Sequence, residues 1–203
     1  MPFRSKLPSR AGIKTATTLP ALLACLPLTA PAAETYTVDP NHTGVTFAFQ
    51  HLGLSTFFGK FSGASGAITL DREKGEGSAR IEIDATGIAT GVPKFDEHLR
   101  SADFFDVEKH PRITFVSKRF PYRDGKVTEV PGELTVRGVT RPVTLEVTYF
   151  NCKEHPMKKV PACGANADAR IKRSEFGLDE YVPAVSDEIA LEISVEALRN
   201  DGT

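Results

Sequence analysis

The ten residues Asp187-Glu188-Ile189-Ala190-Leu191-Glu192-Ile193-Ser194-Val195-Glu196 decide the fold class of this chain. From Ile189 onward, a large apolar residue stands at every second position. Successive side chains of a β-strand point to opposite faces, so this period predicts a strand with one buried face and one face in water.

The same alternation recurs along the chain, which predicts an antiparallel all-β protein around one apolar interior. The apolar positions of the other segments are Val45, Phe47 and Phe49; Ile81 and Ile83; Ile113 and Phe115; Leu134 and Val136; Val143, Leu145, Val147 and Tyr149; and Ala169 and Ile171.

The predicted strands are joined mostly by short turns. They cover residues 35–39, 44–51, 57–70, 78–85, 112–118, 132–137, 142–150, 167–172 and 188–197. Eight or nine strands of this kind favour a closed or nearly closed barrel, with an open sandwich as the alternative. Gly59, Gly63 and Gly66 predict that the strand over 57–70 is strongly bent or bulged.

The alternation stops between Gly87 and Pro111. Within this gap, residues 94–101 predict one or two helical turns, and we place a short helical segment near 94–105. Phe104 and Phe105 follow the predicted helix, where they are expected to cover an opening of the barrel.

The N-terminus resembles a secretory signal. Four basic residues without an acid precede a mostly apolar run, and a small-residue cluster ends at Ala32 and Ala33. This order predicts a signal peptide over 1–32, with cleavage after Ala32, and one domain over 33–203. Leu22-Leu23-Ala24-Cys25 also resembles a lipobox, but the segment stays apolar after Cys25, so a lipid tether is the less favoured alternative.

Charge argues against some partners. Loss of residues 1–32 removes four of the 25 basic residues and none of the 26 acidic ones, so the formal net charge changes from −1 to −5. A mildly acidic chain of about 170 residues has room for a substantial core and no electrostatic reason to bind nucleic acid.

Cys152 and Cys163 remain after removal of the predicted signal. An even pair in an exported chain predicts a disulfide, here one that clamps a polar surface loop containing Pro156 and Pro161. A metal site with His155 as a third ligand is disfavoured, because two cysteines separated by ten residues lack the close chelate spacing.

Polar residues offer weak candidates for catalysis or metal binding. The strongest group combines acids and histidines in one segment, without a helical His-x-x-x-His pair, so capping and loop fixing are favoured. His51 ends the inward alternation of its strand and would donate either to a ligand headgroup or to a backbone carbonyl. The segment's candidate residues are Asp96, His98, Asp103, Asp106 and His110.

Several motifs resemble the YceI-like family of polyisoprenoid-binding proteins, in order along nearly all of the chain after residue 32. They are Asp39–Phe47 (DPNHTGVTF), Gln50–Gly53 (QHLG), Gly59–Phe61 (GKF), His98–Val107 (HLRSADFFDV) with Pro111, Gly132–Val143 (GELTVRGVTRPV) and Arg173–Leu178 (RSEFGL). Phe95 departs from the family pattern, where many relatives have an arginine, and the cysteine segment 152–163 resembles an insertion.

The resemblance implies a lipocalin-like barrel of about eight strands, exported to the periplasm, that encloses a polyisoprenoid or isoprenoid quinone-like lipid. It implies no catalysis, cofactor or metal. Periodicity alone leaves a filled structural or partner-binding barrel as the alternative, because every barrel needs a core. The residues expected to contact the lipid are Phe47, Phe49, His51, Ile81, Ile83, Phe104, Phe105, Phe115, Val136, Leu145 and Leu191.

Overall fold

A computed structural model of the chain describes Met1 and residues 33–200. The predicted signal segment and Cys25 lie outside the described residues. Within 33–200 there are ten strands, one α-helix and two 3₁₀ turns. The strands are β1 (Glu34–Val38), β2 (Gly44–His51), β3 (Ser55–Ser62), β4 (Ser65–Asp71), β5 (Glu76–Asp84), β6 (Arg112–Pro121), β7 (Glu129–Val136), β8 (Val139–Glu154), β9 (Pro161–Lys172) and β10 (Glu188–Arg199). The helix is α1 (Pro93–Arg100), and the 3₁₀ turns are Ala85–Gly87 and Arg173–Phe176.

The sheet closes on itself. Neighbouring strands pair antiparallel in the order β1, β4, β5, β6, β7, β8, β9 and β10, and β1 also pairs with β10. β2 pairs with β10 over residues 190–194, beyond the segment that β1 occupies, and β3 pairs with β2. β1 and β2 thus share one position of the ring, as do β3 and β4, which gives an eight-stranded closed barrel. The predicted lipocalin-like barrel is confirmed, and the open sandwich is wrong.

The segment predicted as one bent strand over 57–70 is two strands. Gly63 and Gly66 have φ angles of 79° and 135°, a region that side chains with a Cβ rarely adopt. A Cβ on Gly66 would lie 2.0 Å from the Arg80 carbonyl oxygen. The strand therefore breaks at residues 63 and 64, and β3 turns away from β5.

Part of the chain between β5 and β6 lies beside β3, on the edge that does not pair with β2. Lys60 forms an isolated antiparallel bridge with Ala89, with N–O distances of 2.8 and 2.9 Å. The helix α1 then begins at Pro93, a residue suited to the first helical turn because it has no N–H to leave unpaired. The predicted helical segment is confirmed, but it ends at Arg100 and not near 105. Residues 101–107 instead form turns, in which the Phe105 N–H donates to the Leu99 carbonyl at 3.0 Å.

One end of the barrel is filled by large side chains, and we call it the closed end. Tyr36 is 2% exposed there, and its hydroxyl donates to Glu34 Oε2 at 2.9 Å. Burial, together with that hydrogen bond, raises the pKa of Tyr36 to about 12, so the phenol stays neutral at physiological pH. The buried residues of the closed end are Tyr36, Leu70, Phe120, Tyr122, Val127 and Ala197.

A disulfide joins Cys152 and Cys163, as predicted, but the segment between them is not a long surface loop. β8 continues to Glu154, β9 begins at Pro161, and the two cysteines stand directly opposite each other in the ladder. The polar segment is therefore a hairpin extension with a turn over 155–160. Both cysteines pack against the closed end, so the bond joins two strands of the barrel wall.

The prediction that Tyr149 points inward is wrong, since Tyr149 is 58% exposed. The β8–β9 register shifts between Val147 and Tyr149, which leaves one extra residue in β8. Because side chains alternate along a strand, this bulge reverses which residues face the interior. Phe150 and Cys152 consequently pack against the closed end.

Candidate functional site

The other half of the barrel encloses a cavity of about 530 Å³. This volume lies in the range of small-molecule pockets, and the walls are mostly aliphatic and aromatic. Strands from all around the barrel contribute to it. The structure places all eleven predicted contact residues in the lining, namely Phe47, Phe49, His51, Ile81, Ile83, Phe104, Phe105, Phe115, Val136, Leu145 and Leu191.

Two glycines let phenylalanine rings lie flat against the barrel wall. A Cβ on Gly59 would lie 2.1 Å from Phe47 Cζ, and a Cβ on Gly132 would lie 2.5 Å from Phe115 Cζ. Gly59 stands directly opposite Phe47 in the β2–β3 ladder. The rings therefore occupy the space of absent side chains, which leaves the centre of this half of the barrel open.

An aromatic cluster bounds the cavity below α1. The ring of Phe57 lies 5.7 Å from Phe49 and 5.5 Å from Phe95 between centroids, the latter in an edge-to-face arrangement. Phe61 meets Phe105 edge to face at 5.3 Å. Phe95, which departs from the family pattern, is thus an apolar part of the cavity wall.

The cavity reaches the surface at what we call the mouth, formed by residues 51–54, α1 with the turns to 107, and the segment 177–187. Leu52 and Tyr181 line the cavity and are also 54% and 56% exposed. Phe104 stacks on Tyr181 at 6.3 Å and meets the His98 ring at 5.0 Å. Phe104 therefore borders the opening, as predicted from its place after the helix.

His51 stands at the mouth, at the end of β2. It bridges to Val185, and its ring lies 6.3 Å from that of Phe57. The ring lines the cavity although the residue as a whole is exposed. This position puts a polar group at the cavity entrance, where one end of an elongated ligand would lie.

Arg173 holds the segment 177–187 in place. Its side chain is buried, and all three guanidinium nitrogens donate to backbone carbonyls. Burial lowers the pKa of Arg173, with the nearby Asp187 and Asp179 acting in the opposite sense. The carbonyls that accept from the guanidinium belong to Leu178, Glu180, Val185 and Ser186.

Asp187 fixes the C-terminal end of the same segment through hydrogen bonds to Ser174. Its carboxylate accepts from the Ser174 amide at 2.9 Å and from the Ser174 hydroxyl at 2.8 Å. The amide hydrogen bond is the main reason that the pKa of Asp187 is lowered, and the hydroxyl bond and nearby cations add to it against the effect of burial.

The predicted acid and histidine group is divided among local contacts. Asp96 accepts from the Thr90 amide and hydroxyl at 2.7 and 2.6 Å, and Asp106 pairs with Lys109 at 3.0 Å. His98 Nε2 lies 3.5 Å from Asp103 Oδ2, while His110 lies against Gly138 on the β7–β8 turn. In the part of the chain that the structure describes, no three acids, histidines or cysteines are grouped so that they could hold a metal ion.

Sequence reasoning missed the roles of Leu52, Tyr181 and Arg173 in the site. Arg173 lies within a motif that carried the family resemblance, yet its spacing gave no indication that it holds the mouth. Leu52 and Tyr181 lie outside the alternating strands, so a pattern of period two could not identify them.

Across residues 33–200, no helix has the length and apolar character needed to cross a membrane.

The fold and its cavity define an antiparallel barrel that is hollow in one half and covered by a short helix. The family model of the YceI-like domain matches residues 36–197, and the chain therefore belongs to the YceI-like family. It is 35% identical over 170 residues to Protein YceI of Escherichia coli O157:H7, covering 82% of this chain and 88% of that protein.

Solved structures share the fold. BcnA of Burkholderia cenocepacia aligns with a TM-score of 0.66 and 25% identity, over 79% of this chain and 99% of BcnA. A polyisoprenoid binding domain from Saccharophagus degradans, implicated in plant cell wall breakdown, aligns with a TM-score of 0.60 over 81% of this chain and 98% of that domain. At 15% identity, the second likeness shows a common fold.

Proposed function

We propose that this protein is an exported, non-catalytic binding protein that holds a long apolar isoprenoid or quinone-like lipid in its cavity. The main support is the hollow half of the barrel, which is lined mostly by aliphatic and aromatic side chains from strands all around it. Burial of apolar surface contributes about 25 cal/mol per Å², so a hydrocarbon chain in this cavity needs few polar contacts to bind tightly.

The comparisons support the class of ligand. The Saccharophagus degradans domain of the same fold is described as polyisoprenoid binding, and the cavity here suits a slender chain of that kind. All eleven residues that we expect to contact the lipid face this cavity.

Contacts at the mouth favour a ligand with a neutral polar end. Arg173 is the arginine in the cavity lining, and its three nitrogens are engaged with backbone carbonyls. The remaining polar groups at the opening include His51, His98 and Tyr181, which are suited to hydrogen bonds with a hydroxyl or a quinone oxygen. We therefore expect a long-chain alcohol or quinone to bind more tightly than the corresponding diphosphate.

Export to the periplasm is supported by the order of basic, apolar and small residues in 1–32 and by the disulfide, a bond typical of oxidising compartments. A role without catalysis is supported by the local contacts of the acid and histidine group. Asp96 and Asp106 hold loops, and their positions do not form a nucleophile with a matched base.

The proposal is tested by purifying the protein from its own host without detergent and comparing native with denaturing mass spectra. We expect a native mass above that of the mature chain, and an organic extract that contains an isoprenoid alcohol or quinone. The recovery of empty protein alone after this gentle preparation would count against the proposed function.

A second measurement tests the neutral end of the ligand. Ligand-free protein is titrated with a long-chain isoprenoid alcohol and, separately, with the diphosphate of equal chain length. We expect the alcohol to bind at least about tenfold more tightly, a difference of 1.4 kcal/mol. Tighter binding of the diphosphate would contradict this expectation and would mean that an exposed lysine of the mouth, such as Lys94, binds the phosphates.

A further inference from the structure

Exposed apolar side chains are concentrated at the mouth. Among the described residues from 33 to 200, eight large hydrophobic residues are exposed. Four of them belong to the mouth, and two more adjoin it, Phe58 on β3 and Val92 directly before α1. We call these six residues the mouth patch: Leu52, Leu54, Phe58, Val92, Tyr181 and Val182. The remaining two, Tyr149 and Met157, lie on β8 and on the β8–β9 turn.

The mouth patch is assembled from three parts of the chain that contact one another. The Leu52 N–H donates to the Ala184 carbonyl at 2.8 Å, which joins the β2–β3 turn to the segment 177–187. The ring of Tyr181 lies 6.2 Å from that of His98 on α1. The Lys60–Ala89 bridge places the residues that precede α1, including Val92, beside β3 and Phe58.

These contacts give the patch a defined place around the opening. Leu52 and Tyr181 belong both to the patch and to the cavity lining, so the apolar surface continues from the outside of the protein into the cavity. Contiguous exposed apolar surface of this kind marks an interaction site.

We propose that the mouth patch docks on the surface of a lipid bilayer, with the opening of the cavity facing the membrane. The inference rests on the proposed function, because a long apolar chain that resides in a bilayer would reach the cavity without crossing water. Apolar side chains at the tip of a protein insert into the boundary between headgroups and acyl chains.

The charges beside the patch favour a neutral membrane surface. The mouth and β3 carry the exposed cations Lys60 and Lys94 together with the exposed anions Glu97, Asp103, Asp179 and Glu180. Exposed Lys172 interacts electrostatically with Asp187 of the segment 177–187. This mixture gives no net attraction to anionic lipid. We therefore expect docking through apolar insertion, with no gain from anionic lipid and no loss at high salt.

The chain offers a matched pair of double variants. Leu54 and Phe58 are 82% and 56% exposed, while Met157 and Tyr149 are 82% and 58% exposed. None of these four residues lines the cavity. The mouth variant is Leu54→Ser with Phe58→Thr, and the control variant is Met157→Ser with Tyr149→Thr.

The experiment measures transfer of a pyrene-labelled long-chain alcohol from vesicles of phosphatidylcholine to ligand-free protein. We expect the mouth variant to accept the probe at least about tenfold more slowly than the wild type, and the control variant to match the wild type. Binding of the same probe added without vesicles should be equal in all three proteins. Circular dichroism and thermal melting establish that both variants are folded.

Flotation of each protein with the same vesicles separates the two proposals, because it requires no ligand in the cavity. Wild type that floats with vesicles but binds no probe would uphold docking and contradict the proposed function. A mouth variant that floats and accepts the probe as the wild type does would overturn the docking proposal. Stronger flotation after addition of phosphatidylglycerol would also contradict docking through apolar insertion.

Discussion

The closed end and the cavity half are built from the same alternating strands, yet one is filled and the other is hollow. In the cavity half, Phe47 and Phe115 lie over Gly59 and Gly132, against the wall. At the closed end Phe120 also lies over a glycine, so a ring placed over glycine does not by itself produce a cavity. The difference lies in the side chains that remain to fill the centre.

At the closed end, the centre is occupied by residues of several strands. Tyr36 and Tyr122 are buried there, and the β8 bulge turns Phe150 inward to within 6.0 Å of the Tyr122 ring. The β5–β6 ladder also shifts register, between Gly77 and Ala79, and this shift lies at the closed end as well, where Gly77 stands opposite Phe120. Hydrophobicity alone therefore does not distinguish a core from a binding site. The two halves differ in how many side chains reach the centre, and the β8 bulge adds Phe150 to those at the closed end.

Loss of a phenylalanine ring should cost more stability at the closed end than in the cavity half. Phe120→Ala at the closed end should lower the free energy of unfolding by about 3–5 kcal/mol, as for a packed core. Phe49→Ala should lower it by less, because one side of Phe49 already faces the cavity. Urea denaturation of the ligand-free proteins measures both changes.

The same pair should differ in the opposite sense in ligand binding. Phe49→Ala should weaken binding of a long-chain alcohol, and Phe120→Ala should leave it unchanged in folded protein. Equal losses of stability in the two variants would mean that the two halves are packed alike. Unchanged lipid occupancy in Phe49→Ala would remove Phe49 from the binding surface.

The disulfide should matter for stability and not for the ligand. Replacement of both cysteines by Ser should lower the free energy of unfolding by about 3 kcal/mol in the loop-closure model. Because the bond packs against the closed end, ligand affinity should be unaffected. Chemical denaturation with and without reductant provides the control, since reduced wild type should resemble the double variant. A folded double variant that no longer holds lipid would place this hairpin in the binding site.

Filling the wall should narrow the cavity. In Gly59→Ala, the new methyl group would displace the Phe47 ring toward the centre, at a cost of about 1–3 kcal/mol in stability. Ligand affinity should fall about tenfold. Gly164→Ala is the matched control, because its Cβ would meet its nearest atom at 3.6 Å. Equal affinity in Gly59→Ala and the wild type would show that the Phe47 ring does not limit the cavity.

Acid should weaken the hydrogen bonds that hold the segment 177–187, with a small effect on stability. The pKa of Asp187 is lowered in the fold, so its contribution to stability is present above its unfolded pKa of about 3.9 and is lost as pH falls further. The difference in unfolding free energy between the wild type and Asp187→Ala should be constant from about pH 7 to 5 and shrink below about pH 4. Urea midpoints over this range measure the difference, and a gap that grows on acidification would contradict the assigned hydrogen bonds.

Much of the barrel could be predicted because alternation is a local property of the sequence. The two-residue period of apolar side chains predicts the strand around Leu191 and inward positions such as Phe47 and Leu145. The interruption of that period after Gly87 predicts the short helix. The cysteine pairing is predicted by the even number of cysteines that remain after the predicted signal and by the predicted export to an oxidising compartment.

Other features depend on contacts between distant segments. Alternation wrongly predicts an inward Tyr149, because the β8 bulge is defined by pairing with β9 and has no local signature. The polar residues between the cysteines predict a loop because their sequence does not reveal the continued pairing of β8 with β9. The role of Arg173 required the positions of four carbonyls over 178–186, which only the folded chain brings together.

Photocrosslinking shows directly whether the apolar ligand lies in the hollow half of the barrel. Ligand-free protein is loaded with a long-chain alcohol that carries a diazirine near its apolar end, irradiated, digested and mapped by mass spectrometry. We expect adducts on peptides of the cavity lining, such as those with Phe49 and Leu145, that disappear when unlabelled alcohol competes. Adducts on closed-end peptides with Tyr36 and Phe120, or adducts that unlabelled alcohol does not reduce, would contradict this expectation.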